Sequence, residues 1–355
     1  MRPQSPRPVA AGSGHANAAP SSSSSSAHPH ATPRRQRGPR PACAPTGPSA
    51  GSCETVTMPF APPVPASLPA SVEVGLGSGG LPVVRVAGRQ GSAEIYLHGA
   101  QVTAWTPAGG RPVLWLSATS RFLPDAAIRG GVPICFPWFG AKAGAPSAAA
   151  HGFARLTEWE FVDAQEAGDD VVLTFRLGDT PATRASAWPH RFEALYTVTV
   201  GTRLALALRI TNLEPEAVTF EEALHTYLRV DDVRDVRVAG LEGAPFLDQL
   251  AGLTEVPGAS EPVRFEAETD RIYLGTDAAA TVIDPAGHSV TIEKRESHST
   301  VVWNPWAAKA RSMSDFGDEE WTGMVCVETA NIRGDLVRLE PGQSHTMTAV
   351  LAAVA

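Results

Sequence analysis

The sequence is poor in cysteine and has no long apolar run. Only Cys43, Cys53, Cys135 and Cys326 are cysteines among its 355 residues. They form no CxxC pair and no Cys/His cluster with zinc spacing, so no metal site is expected. Cys43 and Cys53 fall in a low-complexity tail, and Cys135 and Cys326 in apolar, strand-like contexts. Buried reduced thiols of a cytoplasmic protein fit that distribution. No apolar stretch approaches the roughly 18 residues needed to span a bilayer, so no membrane segment is expected. Residues 1–57 lack lysine and hold one acid, Glu54, against six arginines (Arg2, Arg7, Arg34, Arg35, Arg37 and Arg40). That segment therefore carries +5, and the remainder carries −13 of the total −8. An acidic body argues against a general nucleic-acid binder. It still allows an anionic small molecule, because a pocket can be locally positive.

What is present divides the chain into two parts. Residues 1–57 are Pro, Ser, Ala and Gly with a serine run from Ser21 to Ser26. Such a composition buries too little apolar surface to offset its ordering entropy, so a disordered tail is expected. Its Arg- and Ser-rich, acid-poor character also suits a transit peptide, although it lacks an amphipathic period. Met58 follows directly, and an over-extended translation start is the simpler explanation. The expected catalytic domain spans 58–355.

From about Val72 onward the pattern has period two. In Leu204-Ala205-Leu206-Ala207-Leu208-Arg209-Ile210-Thr211 the even positions are large and apolar, and the odd ones small or polar. Similar runs are DVVLTFRL, EALYTVTV, SVTIEKR and MVCVETANI, separated by turn signals such as Pro341-Gly342. Many short strands with little helical period indicate an all-β antiparallel sandwich. The body exceeds an immunoglobulin-like sandwich of about 100 residues. With no internal repeat or linker, one large sandwich is expected. Short helical turns are expected near Ala185–Trp188 and Gly317–Glu320.

Five segments carry polar chemistry. AIRGGVPICFPWFG presents Arg129 before two glycines, which permit a tight bend or close approach to a ligand. Arg129 would then aim a planar fork at an oxyanion; alone, it could equally pair with a carboxylate. HGFARLTEWEF offers His151 and Arg155 in a loop entering a strand, where a structural histidine is the plain alternative. In EEALHTYLRV, His225 shares strand parity with Ala223 and Tyr227, opposite Leu224 and Leu228. An imidazole near its ordinary pKa of about 6.5 can donate and recover a proton at neutral pH. In MVCVETANI, Met324, Cys326 and Glu328 share a face, and a carboxylate ending such an apolar strand is costly to bury without a partner. Partial desolvation would make Glu328 a better base. Asp270 in ETDRIY reads as a turn aspartate that could accept from hydroxyls.

In this order the five segments resemble the glucose-6-phosphate 1-epimerase (hexose-6-phosphate mutarotase) family of the aldose 1-epimerase-like group. The similarity extends from LHGAQVTAW at Leu97 to the closing LEPGQSHTMTAVL and includes IRGG, HGFAR, LHTYLRV and WNPW. The resemblance implies a galactose mutarotase-like supersandwich with a sugar groove on a concave face. It implies His225 as general acid and Glu328 as general base. Arg129 and Arg155 would bind substrate, chiefly its phosphate, Asp270 would hold hydroxyls, and His151 matches a second active-site histidine. The implied substrate is a hexose 6-phosphate, with no cofactor and no metal, and a monomer is expected. The family often has Gln before the HGFAR histidine, where this chain has Ala150; the sugar preference stays open. An epimerase of unphosphorylated aldoses and a non-catalytic sugar-binding module are the rival readings.

Overall fold

The computed structural model describes residues 64–354. The expectations for residues 1–57 lie outside that range. Strand alternation is realised almost residue by residue. Phe192–Val200 and Arg203–Asn212 bury every second side chain, with Leu204, Leu206 and Leu208 inward. They pair antiparallel in a nine-stranded sheet. That sheet runs Val263–Arg264, Arg237–Ala239, Ala280–Ile283, Ser289–Arg295, Ser344–Val354, Arg203–Asn212, Phe192–Val200, Asp170–Gly178 and Glu160–Ala167.

The second large sheet has eight strands and carries the polar segments. Its order is Thr254–Val256, Phe246–Asp248, Thr269–Tyr273, Ser299–Asn304, Met324–Asn331, Glu222–Leu224 and Ile134–Cys135. Tyr227–Arg229 also pairs with Met324–Asn331. Leu224, Leu228, Val302, Val325 and Val327 share one core cluster with Tyr196, Val198, Leu204 and Leu206 of the other sheet. Since strand side chains alternate between faces, one face of this sheet fills the sandwich core. The other is left for Tyr227, Cys326, Glu328, Trp303 and Asp270. A four-stranded sheet (Val72–Leu76, Pro82–Ala87, Gly91–Tyr96, Gln101–Pro107) and the pair Val218–Phe220 with Val337–Leu339 complete the strands.

The two glycines after Arg129 are explained by backbone packing. Gly130 and Gly131 have φ of 114° and 64°, and a Cβ at Gly131 would lie 2.2 Å from the Val102 carbonyl oxygen. No L side chain fits there. The short helices depart from expectation. One forms at Pro181–Arg184, just before the expected turn, because Thr180 and Thr183 make a reciprocal capping box with proline at the first turn. The turn expected at Gly317–Glu320 begins at Glu320 and runs to Gly323. The helix Trp306–Ser312 was not expected.

Candidate active site

His225 sits where the sheet kinks. The chain leaves Glu222–Leu224 and resumes pairing at Tyr227–Arg229, both against Met324–Asn331. At the kink the His225 N–H donates to the Pro133 carbonyl (3.0 Å) and Thr226 N–H to Leu224 (2.8 Å). The register pairs Leu224 with Thr329 and Tyr227 with Cys326. Counting between them sets His225 opposite Glu328. Accordingly, His225 Nδ1 lies 3.3 Å from Glu328 Oε1. Glu328 is within its strand rather than at its end, as the sequence suggested, with Val301 as its other cross-strand neighbour. Asp270 likewise occupies a strand, not a turn, opposite Trp303.

These residues floor a cleft of about 360 Å³. Arg129, His151, His225, Asp270 and Glu328 all line it. Gln249, Trp303, Lys309 and Met313 line it as well, with Phe139 and Gly140 at the side of His151. Arg155 is not among the lining residues; its Nη2 donates to the Ala150 carbonyl at 2.9 Å. The side chain of Ala150 is exposed, so that position contributes its carbonyl. Arg129 is strongly engaged. Its Nε (3.3 Å) and Nη2 (3.1 Å) reach Asp315 Oδ2, and Nη1 donates to the Tyr227 hydroxyl at 3.0 Å. His151 has φ of 63°, and its ring centroid is 5.6 Å from that of His225. Its Nδ1 accepts from the Gly140 N–H at 3.4 Å and stands 3.4 Å from Cys135 Sγ.

Burial dominates the electrostatics. His225 and Glu328 are 6% and 1% exposed. Burial, reinforced by His151, Arg155 and Arg129, holds the His225 imidazole well below its ordinary range. This differs from the near-ordinary pKa expected from sequence. Burial together with Asp270 pushes the Glu328 carboxyl well above its ordinary range, against the pull of Arg155. The pair is thus a neutral imidazole beside a protonated carboxyl over the range between its two titrations. The pair shares one titratable proton; His225 Nδ1 and Glu328 Oε1 stand 3.3 Å apart without a hydrogen bond between them. Asp270 is pushed up to about 6, mainly by burial; Gln249, whose amide contacts the carboxylate, and Lys309 oppose the shift.

His225, Cys326 and Glu328 place three donor atoms within 4.8 Å of one another. A divalent ion there would oppose the same arginine field that depresses His225, and burial keeps the Cys326 thiol protonated. The donor set suits proton exchange better than metal ligation.

The match to known proteins runs along this whole body. A family model described as aldose 1-epimerase matches residues 82–352. The chain belongs to the aldose 1-epimerase family. A protein of Cenchrus ciliaris provisionally named glucose-6-phosphate 1-epimerase is 36% identical over 286 residues, covering 77% of this chain and 84% of that protein. One of Escherichia coli with the same provisional name is 39% identical over 244 residues, covering 68% and 80%. Among solved structures, a provisionally named mutarotase from Salmonella typhimurium superimposes with a TM-score of 0.75 at 31% identity, covering 82% of this chain and 97% of that one. A galactose mutarotase-like protein of Lactobacillus casei shares the fold alone, with a TM-score of 0.60 at 16% identity, covering 77% and 100%. The supersandwich expected of this aldose 1-epimerase family member is therefore its architecture. No helix of the described residues is long and apolar enough to cross a membrane.

Proposed function

We propose that this protein interconverts the α and β anomers of hexose 6-phosphates, glucose 6-phosphate first among them. The observation that carries the reading is the buried 3.3 Å contact of His225 Nδ1 with Glu328 Oε1 on the floor of a polar cleft. A binding module needs hydrogen-bonding groups but no such matched acid and base. The substrate class follows the relatives' names and the cations in and behind the cleft wall.

In the proposed reaction, Glu328 takes the proton of the anomeric hydroxyl as His225 gives one to the ring oxygen. The C1–ring oxygen bond breaks and C1 becomes the carbonyl of the open-chain aldehyde. Rotation about C1–C2 presents the other carbonyl face. The ring hydroxyl adds to C1, its proton returns to His225, and Glu328 protonates the new anomeric oxygen. The pair ends with the proton count it began with. The starting form is the carboxylate–imidazolium isomer, reached from the neutral pair by one proton transfer from Glu328 to His225. A positioned acid–base group typically contributes about 10² to 10⁴ in rate, which is sufficient for a reaction that also proceeds in water.

In this reading Asp270 and Gln249, which line the cleft, accept from and donate to sugar hydroxyls, and His151 contacts an oxygen near the reacting centre. Arg129 has N–H groups to offer a phosphate from the cleft wall. Arg155, outside the cleft lining, would add positive field at His151. The free Cys135 and Cys326 suit a reducing compartment, and we place the activity in the cytoplasm of the cell as a monomer. The test is the anomerisation rate by NMR on glucose 6-phosphate, mannose 6-phosphate, galactose 6-phosphate and free glucose. Ligand binding without any acceleration would favour the binding-module reading, and faster turnover of free glucose would favour the unphosphorylated-aldose reading.

A further inference from the structure

Four cations stand in or near the cleft, and they differ in what they have left to give. Arg333, over the ring of the cleft-lining Phe139, is paired with Glu221 at 3.0 Å. Arg129 spends three N–H groups on Asp315 and Tyr227, and the Asp315 carboxylate compensates its charge at 3.1 Å. Arg155 does not line the cleft and donates to a backbone carbonyl. Lys309 lines the cleft, and its ammonium makes no hydrogen bond or ion pair among the described residues. Neither sequence motifs nor the family-based assignment singled it out.

Lys309 is also held on a fixed element. Asn304, fully buried at the end of its strand, accepts from Trp306 N–H (2.9 Å) and donates to the Trp321 (2.8 Å) and Met324 (2.9 Å) carbonyls. It thereby ties the start of the helix Trp306–Ser312 to the strand that carries Glu328. Trp306 packs on Trp321 with ring centroids 4.3 Å apart. Lys309 follows one turn later. It is close enough to the cleft floor to oppose the upward shift of the Asp270 carboxyl.

We infer that Lys309 is the specificity-determining cation for the phosphate group, the one that separates hexose 6-phosphates from free hexoses. The inference rests on the hexose phosphate reading above and names a residue that reading does not use. A dianion gains most from a charge that has no carboxylate on it. Lys309 offers three rotatable donors on a flexible stem, from a helix that is itself anchored. Arg129 meets the phosphate only in competition with Asp315.

The experiment compares Lys309→Gln and Lys309→Arg with the wild-type chain. It measures KM and kcat for glucose 6-phosphate and for glucose, and inhibition by inorganic phosphate. Loss of a charge-assisted contact should raise KM for glucose 6-phosphate by about tenfold to a hundredfold. It should leave kcat within about twofold and weaken inhibition by inorganic phosphate equally. Kinetics on glucose should be unchanged, and Lys309→Arg should recover most of the affinity. Equal losses on both sugars, or none on either, would overturn the assignment of Lys309 while wild-type turnover of glucose 6-phosphate still upheld the proposed reaction. A wild-type chain that accelerates neither sugar would overturn that reaction, and this inference with it.

Discussion

The Tyr227 ring lies flat against the His225 imidazole, with centroids 4.7 Å apart and planes 9° apart. The same tyrosine accepts from Arg129 Nη1 at 3.0 Å. The proposed acid therefore has its ring plane fixed by a neighbour that a charged group holds in place. Tyr227→Phe should keep the stack and lose the tether. The expected outcome is a folded protein whose kcat on glucose 6-phosphate falls about threefold to tenfold, the range of one net hydrogen bond. Steady-state kinetics beside a thermal melt would check it; an unchanged kcat would remove the tether from the mechanism.

His225→Asn and Glu328→Gln should each lower the anomerisation rate by about 10² to 10⁴ while sugar phosphate still binds. The two residues act on one substrate as a unit, so the double variant should be little slower than the worse single one. Turnover by NMR and affinity by calorimetry separate the two effects. Wild-type turnover in either single variant would exclude that residue.

The pH profile of kcat/KM should be bell-shaped, with the acid limb from His225 and the alkaline limb from Glu328. Activity needs the pair to hold one proton. Acid adds a second proton to the imidazole, whose depressed pKa puts that limb below about 6.5. Alkali removes the last proton from the carboxyl, whose pKa is raised. Both apparent values belong to the pair. An acid limb above pH 6.5 in the wild type would contradict the buried neutral imidazole.

Glu328→Gln should also change stability in a pH-dependent way. A carboxyl whose folded pKa is raised favours the fold below its unfolded value and loses that contribution as pH rises through the folded value. The amide does not ionise. The melting temperature of the variant relative to wild type should therefore climb from pH 5 to pH 9, measured by scanning calorimetry. A constant difference would mean that Glu328 ionises as easily folded as unfolded.

Gly131→Ala should destabilise the fold. Its φ of 64° and the 2.2 Å approach to the Val102 carbonyl leave no room for a methyl group. The loss should be at least about 2 kcal/mol, read from a denaturant melt. Gly144→Ala, also at positive φ but in open space, is the control and should lose less.

The sequence made the faces legible and left the depths obscure. Period-two alternation correctly separates Leu224 and Leu228 from His225 and Tyr227, because a strand's geometry forces that split on any sheet. It also puts Cys326 and Glu328 together. It does not say that Glu328 is enclosed by strands on both sides, since burial comes from chain segments distant in sequence. The rise of the Glu328 pKa was legible from its apolar strand, but the fall of the His225 pKa was hidden for the same reason. Arg155 reads like Arg129 from its motif, yet its guanidinium turns to the Ala150 carbonyl. Lys309 and Gln249 belong to a short helix and a loop, where no period marks a functional face. The helix Trp306–Ser312 has Pro305 at its N-cap, and its first N–H is held by Asn304, one residue before that cap, so the usual N-cap signal is missing.

One consequence of the Gly140–His151 contact concerns the direction of hydrogen bonding. A backbone N–H cannot accept, so the Gly140 contact at 3.4 Å, with the Cys135 thiol also 3.4 Å away, favours an His151 Nδ1 that carries no hydrogen. Burial and the surrounding arginines keep the ring neutral, which leaves its one hydrogen on Nε2. The edge left for the cleft is then a donor only. A sugar hydroxyl can turn to meet a donor or an acceptor, but a carbonyl oxygen has lone pairs and nothing else. In the proposed reaction that edge suits His151 to the open-chain aldehyde, the species held while the bond beside it turns.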